Sequence, residues 1–412
     1  MKRRMERTAL LSLIVLILLL STPASRSNSL QSKVAIQAPV VTIPFEMVNR
    51  HIVLQVQVDN SRPLSFVLDT GDQFAIINLE RARELGLKLE GEIHMGGAGS
   101  AISTGAFVRD SRFTIPGFPG FSQPLNAALP IGRMASRFGQ DFDGIIGSEF
   151  IKQFVMELDY QARVIKLYDK DKFNYAGPGD IIPITLNSAG HPIVEAEVTP
   201  MGSAPVTGKF VLDVGSGGAL ALYSPFVAGH NLLGPNLPTI KAIGVGGAGG
   251  EVTARIGRVS ELKIGRFRIS KPITLFSEDK VGAFASSALV GNIGQQIVGK
   301  FKLLFDYKHQ RIIFEPNDSF NESFDRAFSG LSIVAEGKDY RTFRIADVLE
   351  NSPGTEAGLQ KDDTITAIDG KAAAALSLTR VLELFERPAV YQLTIRRGTQ
   401  TLQTKLTPRR LV

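Results

Sequence analysis

Residues 66–160 and 210–307 carry the same landmarks in the same order. Phe66-Val-Leu-Asp69 returns as Phe210-Val-Leu-Asp213, with the aspartates 144 residues apart. Met95-Gly-Gly-Ala-Gly99 returns as Val245-Gly-Gly-Ala-Gly249, 150 residues on. Gly144-Ile-Ile-Gly147 returns as Gly291-Asn-Ile-Gly294, and Phe154–Tyr160 returns as Phe301–Tyr307, both at 147. A short apolar strand pattern follows each copy, Val164–Tyr168 and Arg311–Phe314. Four landmarks at nearly one spacing predict two units of one design rather than low complexity. Short apolar or alternating runs such as Ile52–Val58, broken by glycine and proline, predict strands. The units are expected at 39–172 and 181–317, joined at Ala176-Gly-Pro-Gly-Asp180 and closed by the polar stretch Pro316–Ser323.

The first residues read differently. Lys2, Arg3, Arg4 and Arg7 precede twelve residues, Ala9–Leu20, that are apolar except for Ser12. Small residues follow at Thr22 and Ala24, which reads as a secretory signal over 1–24 and an exported, periplasmic or extracellular protein. Left uncleaved, this segment would be an N-terminal anchor, although a bilayer span takes about 20 apolar residues. The formal net charge of +6 owes half its value to this segment, so no basic nucleic-acid surface is expected. The chain has no cysteine, which excludes disulfides, thiol nucleophiles and zinc–thiolate or iron–sulfur sites.

Asp69 and Asp213 each end an apolar strand and precede a glycine turn. If the duplicated units pack about an approximate two-fold axis, the two loops meet. Two carboxylates that close share one proton and titrate as a pair, which supplies an acid and a base for one water molecule. No metal and no cofactor is needed for that chemistry.

Phe66-Val-Leu-Asp69-Thr70-Gly71, followed by Ile145-Ile146-Gly147, resembles the signature of retropepsin-like aspartic peptidases. The second copy sets Asp213-Val214-Gly215-Ser216 beside Asn292-Ile293-Gly294, with Asn292 in place of an apolar residue. The resemblance implies a mainly β fold, with two pseudo-two-fold-related lobes, catalytic Asp69 and Asp213, and a peptide or protein substrate. Two lobes in one chain remove the family's need to dimerise, so a monomer is expected. The resemblance also implies a flap over each lobe. The candidates are Gly96, Gly97 and Gly99, and Gly246, Gly247 and Gly249, since glycine supplies the turns a mobile hairpin needs. Two positions depart from the family. Its members carry a hydroxyl after each aspartate, whose bond to the opposite loop holds the pair; Thr70 has one and Val214 does not. Asp72 stands where the family has Ser or Ala, which brings a third carboxylate near the pair. The alternative reading is a catalytically inactive peptide-binding or scaffold protein on the same fold.

The remaining unit, 328–409, has no counterpart in the duplication. A strand at Phe343–Val348, a helix over Leu376–Phe385 and a closing hairpin are expected. With Ser352-Pro353, Ala357-Gly358-Leu359, Asp363 and Ile368-Asp369-Gly370, the unit resembles a bacterial PDZ domain, a β-sandwich or barrel with helices. The resemblance implies a groove for a peptide or protein C-terminus, taken as an added strand, with Gly330-Leu331-Ser332-Ile333 as its carboxylate loop. Other chemistry is weaker. The five histidines have no metal-ligand spacing and read as turn, surface or packing residues. Asp143, Asp159 and Asp306 read as structural carboxylates, and no serine-nucleophile elbow occurs. Gly244–Gly249 mimics a dinucleotide fingerprint without the βαβ pattern that gives one meaning.

Overall fold

The computed structural model describes residues 38–412 except Ser100 and Ala248, so the expected signal over 1–24 lies outside the described residues. The fold is mainly β. The two duplicated units meet in a six-stranded antiparallel sheet. Its strands run, in spatial order, Val41–Pro44, Val164–Asp169, Phe154–Asp159, Phe301–Asp306, Arg311–Pro316 and Asp180–Leu186. The central pairing sets Met156 opposite Phe305, Glu157 opposite Leu304 and Leu158 opposite Leu303. A shift of 147 residues interchanges the outer two pairs and maps the middle one onto itself, so the pseudo-two-fold axis passes between Glu157 and Leu304. Met156, Leu158, Leu303 and Phe305 are fully buried there, within one apolar core that runs through both lobes. Burial of side chains of this size stabilises by about 1.5–3 kcal/mol each, which makes the lobes a single packed body.

Each lobe repeats one three-strand arrangement. In the first, Gly144–Ile146 lies parallel to Leu64–Leu68 and antiparallel to Ala75–Asn78. In the second, Gly291–Ile293 lies parallel to Val206–Leu212 and antiparallel to Leu220–Leu222. The inserted strand is buried throughout in both copies, although the second carries Asn292. Glycine opens it in both copies for a steric reason: a Cβ on Gly144 would lie 2.3 Å from the Ile76 carbonyl oxygen, and one on Gly291 would lie 1.9 Å from that of Ala221. Each aspartate then leaves its strand under the inserted one. The Asp69 N–H donates to Ile146 O at 3.0 Å and the Asp213 N–H to Ile293 O at 2.9 Å.

The C-terminal unit has its own core, with Phe343, Ile345, Ile365, Leu393 and Ile395 from its sheet and Leu378, Val381 and Phe385 from one helix. The helix spans Leu378–Phe385, two residues shorter than its apolar spacing suggests. Ser377 is its N-cap, accepting from the Arg380 N–H, and Leu376 before it is extended. Of the expected carboxylate loop only Gly330 is loop; Leu331–Glu336 is a strand at the edge of the sheet. That edge does not face open solvent. The short helix Ala135–Phe138 of the first lobe packs against it, and Gly139 sits against Leu378, where a Cβ would come within 2.5 Å of the Leu378 Cβ. The Asn49 N–H donates to Thr379 Oγ1 at 3.1 Å, and Glu386 accepts from both Arg50 and Arg326.

Candidate active site

The two loops at Asp69 and Asp213 face each other and interlock. Gly71 N–H donates to Asp69 Oδ1 at 2.7 Å, and Gly215 N–H to Asp213 Oδ1 at 2.9 Å. Each of these glycines also lies against the opposite carboxylate. A Cβ on Gly71 would stand 3.0 Å from Asp213 Cγ, and one on Gly215 would stand 2.1 Å from Asp69 Cγ. A Cβ at 215 would overlap the Asp69 carboxylate, and one at 71 would ask Asp213 to give by a few tenths of an ångström.

Half of the expected interlocking between loops is present. Thr70 Oγ1 accepts from the Val214 N–H at 3.0 Å and donates to Leu212 O at 2.7 Å, reaching both sides of Asp213 in the opposite loop. Thr70 and Val214 are both fully buried. Val214 has no hydroxyl with which to reciprocate.

The carboxylates differ in what surrounds them. Asp213 Oδ1 also accepts from the Ser216 N–H at 3.1 Å, and its Oδ2 accepts from Asn292 Nδ2 at 3.0 Å. Burial first, then the charge of Asp213, then that of Asp72, hold the Asp69 carboxyl well above the usual carboxylate range. A hydrogen bond between the two carboxyl groups acts in the same direction, against the Gly71 N–H. Asp72 lines the same cleft, its Oδ1 accepting from the Phe74 N–H at 3.2 Å. Burial pushes it up to about 6, against the backbone N–H groups of Phe74 and Gln73, and Asp213 adds to the rise.

Two histidines that read in the sequence as turn, surface or packing residues line this cleft. His51 packs on Phe138 with ring centroids 4.6 Å apart, and its Nδ1 lies 2.7 Å from Asn49 O. His191 lies on the second-lobe side, with Nδ1 3.3 Å from Asn187 Nδ2. Burial pushes both imidazoles down, against the pull of Asp213. Nothing in their sequence neighbourhood marks them, since long-range packing delivers them. The three aspartates set aside as structural are used that way. Asp143 is buried under Arg81 and the Ser65 N–H, Asp159 caps a turn, and Asp306 pairs with Arg311.

The cleft encloses a cavity of about 960 Å³, roofed by the two glycine-rich stretches. Gly96, Gly97 and Gly99 lie at the tip of the hairpin Lys88–Met95/Ser103–Arg109. Gly246, Gly247 and Gly249 belong to a tight hairpin in which Gly246–Gly247 pairs with Gly250–Glu251. The tips meet, with the Ala101 N–H donating to Gly249 O at 2.7 Å. Arg137 holds the second hairpin, donating to Gly244 O at 3.1 Å and to Glu251 at 2.7 Å. Val334, on the edge strand of the C-terminal unit, reaches the same cavity.

Two carboxylates thus lie interlocked under a paired glycine roof. Residues 54–150 match the family model for aspartyl proteases. Residues 344–397 match the model of the PDZ domain. The chain thus carries an aspartyl-protease-like domain and a C-terminal PDZ domain. The aspartyl protease match contains Asp69 and its backing segment; Asp213 lies beyond it and is brought in by the pseudo-symmetry of the fold. A probable CtpA-like serine protease of Staphylococcus haemolyticus (strain JCSC1435) is 30% identical over 112 residues, 27% of this chain. The aligned part is 22% of that relative's length, about a fifth.

Proposed function

We propose that this protein is an exported aspartic-type endopeptidase whose PDZ domain binds peptide or protein termini when its edge strand Leu331–Glu336 parts from the helix Ala135–Phe138. The observation that carries the reading is the reciprocal seating of each loop's glycine against the other loop's carboxylate. It leaves the two aspartates near enough to hold one water and one proton between them. The ionised carboxylate takes a proton from that water as its oxygen attacks the scissile carbonyl. The protonated carboxyl donates to the carbonyl oxygen, giving a tetrahedral diol. Proton transfer to the amide nitrogen and cleavage of the C–N bond then release an amine and a carboxylic acid, and no covalent intermediate forms. The cavity of about 960 Å³ admits several residues of an extended peptide, and the glycine roof supports closure over it. Export is inferred from the basic, apolar and small-residue sequence of residues 2–24.

The test is cleavage of a mixed peptide library between pH 3 and 8 by the wild type, Asp69→Asn and Asp213→Asn. The expected result is hydrolysis by the wild type and a fall of at least about a thousandfold in both variants, as for groups that act as a unit. Equal activity in all three would sink the reading. Peptide binding without cleavage in the wild type would favour the alternative, a non-catalytic peptide-binding protein, to which the missing Val214 hydroxyl points.

A further inference from the structure

We propose that Asn292 is a positioning residue that fixes the dyad's negative charge on Asp213 and its shared proton on Asp69. The inference rests on the peptidase reading above and deepens it. By symmetry the two aspartates would be equivalent, and the proton would have no fixed seat. The two copies of the backing strand have diverged at one position. Ile145 stands in the first, facing Val67 across the parallel pairing, and Asn292 in the second, facing Val211. Ile145 has no donor, whereas Asn292 donates to Asp213 Oδ2 at 3.0 Å.

The count of donors then separates the carboxylates. Asp213 receives three N–H groups, from Gly215, Ser216 and Asn292, over both of its oxygens. Asp69 receives the Gly71 N–H alone, on one oxygen, while the charge of Asp72 bears on both aspartates. Hydrogen bonds from N–H donors favour the ionised carboxylate, so the donor count sends the proton to Asp69. The remaining titratable groups facing Asp213 do not reverse this. His51 and His191 act on it from two other elements and are both held towards their neutral forms by burial, and Tyr223 is pushed further from ionising by burial and by Asp213 itself.

Asn292 itself shows that the bond matters. It is 4% exposed, and its Oδ1 is buried with no hydrogen-bond partner among the described residues. An amide buried with one end unpaired, at a place where its counterpart is isoleucine, is disfavoured unless its other end makes a charge-assisted bond. Turned over, its oxygen would face Asp213 Oδ2, an arrangement only a protonated Asp213 could satisfy. Asn292 also ties down the aspartate whose loop bears Val214. In this reading Asp213 is the base that activates water, and Asp69 is the acid that polarises the carbonyl.

The test uses the full chain with aspartate labelled at the carboxyl carbon, the two signals being assigned with Asp69→Asn and Asp213→Asn. Carboxyl carbon shifts followed from pH 2 to 8 should show Asp213 ionising before Asp69. Asn292→Ile, which installs the residue of the other copy, should move the pair's first ionisation and the acid limb of kcat/KM upwards by about one pH unit. That corresponds to about a tenfold loss on the acid limb and little change near the optimum. An Asp69 that ionises first overturns the inference, as does an Asn292→Ile protein that loses stability or kcat at every pH with its acid limb unmoved. If the variant does not fold, the order of ionisation in the wild type decides. Failure of the wild type to hydrolyse peptides would sink the peptidase reading and leave that order readable.

Discussion

Asp72 brings a third acid to a site built for two. Its carboxyl, pushed up to about 6 mainly by burial, holds its proton more tightly in the folded chain than in the unfolded one, where the value is about 3.9. Its contribution to stability is therefore complete below about pH 4 and is lost as the pH rises through about 6. Asp69 is shifted in the same direction. The wild type is accordingly expected to lose thermal stability between pH 4 and 7, with a shallower loss in Asp72→Ser. The same change removes a negative charge from beside Asp69 and should move the alkaline limb of kcat/KM to lower pH. Calorimetry and pH–rate profiles check both; parallel melting curves with unmoved limbs would contradict the account. Asp69, Asp213, Thr70 and Val214 were legible because each lies in a contiguous motif repeated in the chain. The nearness of His51 and His191 to Asp213 was not, because each arrives on a strand or turn whose own sequence is ordinary.

The two glycine hairpins roof the cleft as a pair. Gly99 takes a positive φ of 99°, and a Cβ there would fall 2.5 Å from the Gly249 carbonyl oxygen. Gly99→Ala should therefore part the tips as well as strain the first hairpin. The expected effect is a fall of about ten- to a hundredfold in kcat/KM, the scale of a misplaced active-site element, with faster amide exchange over residues 95–103 and 245–251. Unchanged exchange and turnover would show that the tips do not act together. The helix at Leu378–Phe385 teaches a smaller point about boundaries. Apolar spacing counts Leu376 into the helix, but the Ser377 cap bond starts it afterwards, and a cap outranks a periodic match.

Glu386 joins the C-terminal PDZ domain to the rest of the molecule through Arg50 of the first lobe and Arg326 of the connecting segment. Burial lowers the Arg326 guanidinium to about 10, against the pull of Glu386, so the carboxylate is the partner that makes this buried charge tolerable. Glu386→Ala should lower the unfolding free energy by about 1–3 kcal/mol. That is less than the 3–5 kcal/mol of a fully buried pair, because the carboxylate side chain is 28% exposed. It should also make the segment from 317 to 328 more susceptible to limited proteolysis. Denaturant unfolding and timed digestion measure the two effects, and a variant as stable and resistant as the wild type would show the contact to be idle.

Duplication, the strand pattern, the aspartate loops and the PDZ-like order of elements are local or periodic, so the amino-acid sequence alone determined them. The offset of 147 between Phe154–Tyr160 and Phe301–Tyr307 requires a symmetric pairing of the central strands, but it does not say which residues lie on the axis. Only the tertiary structure decided what the two copies do differently. The side chain of Asn292 has meaning only once Asp213 is 3.0 Å away, and the first-lobe helix Ala135–Phe138 matters only once it lies along the PDZ edge strand. Hydrogen bonds and close packing act over a few ångströms between residues distant in the chain, and no periodicity records which of them will meet.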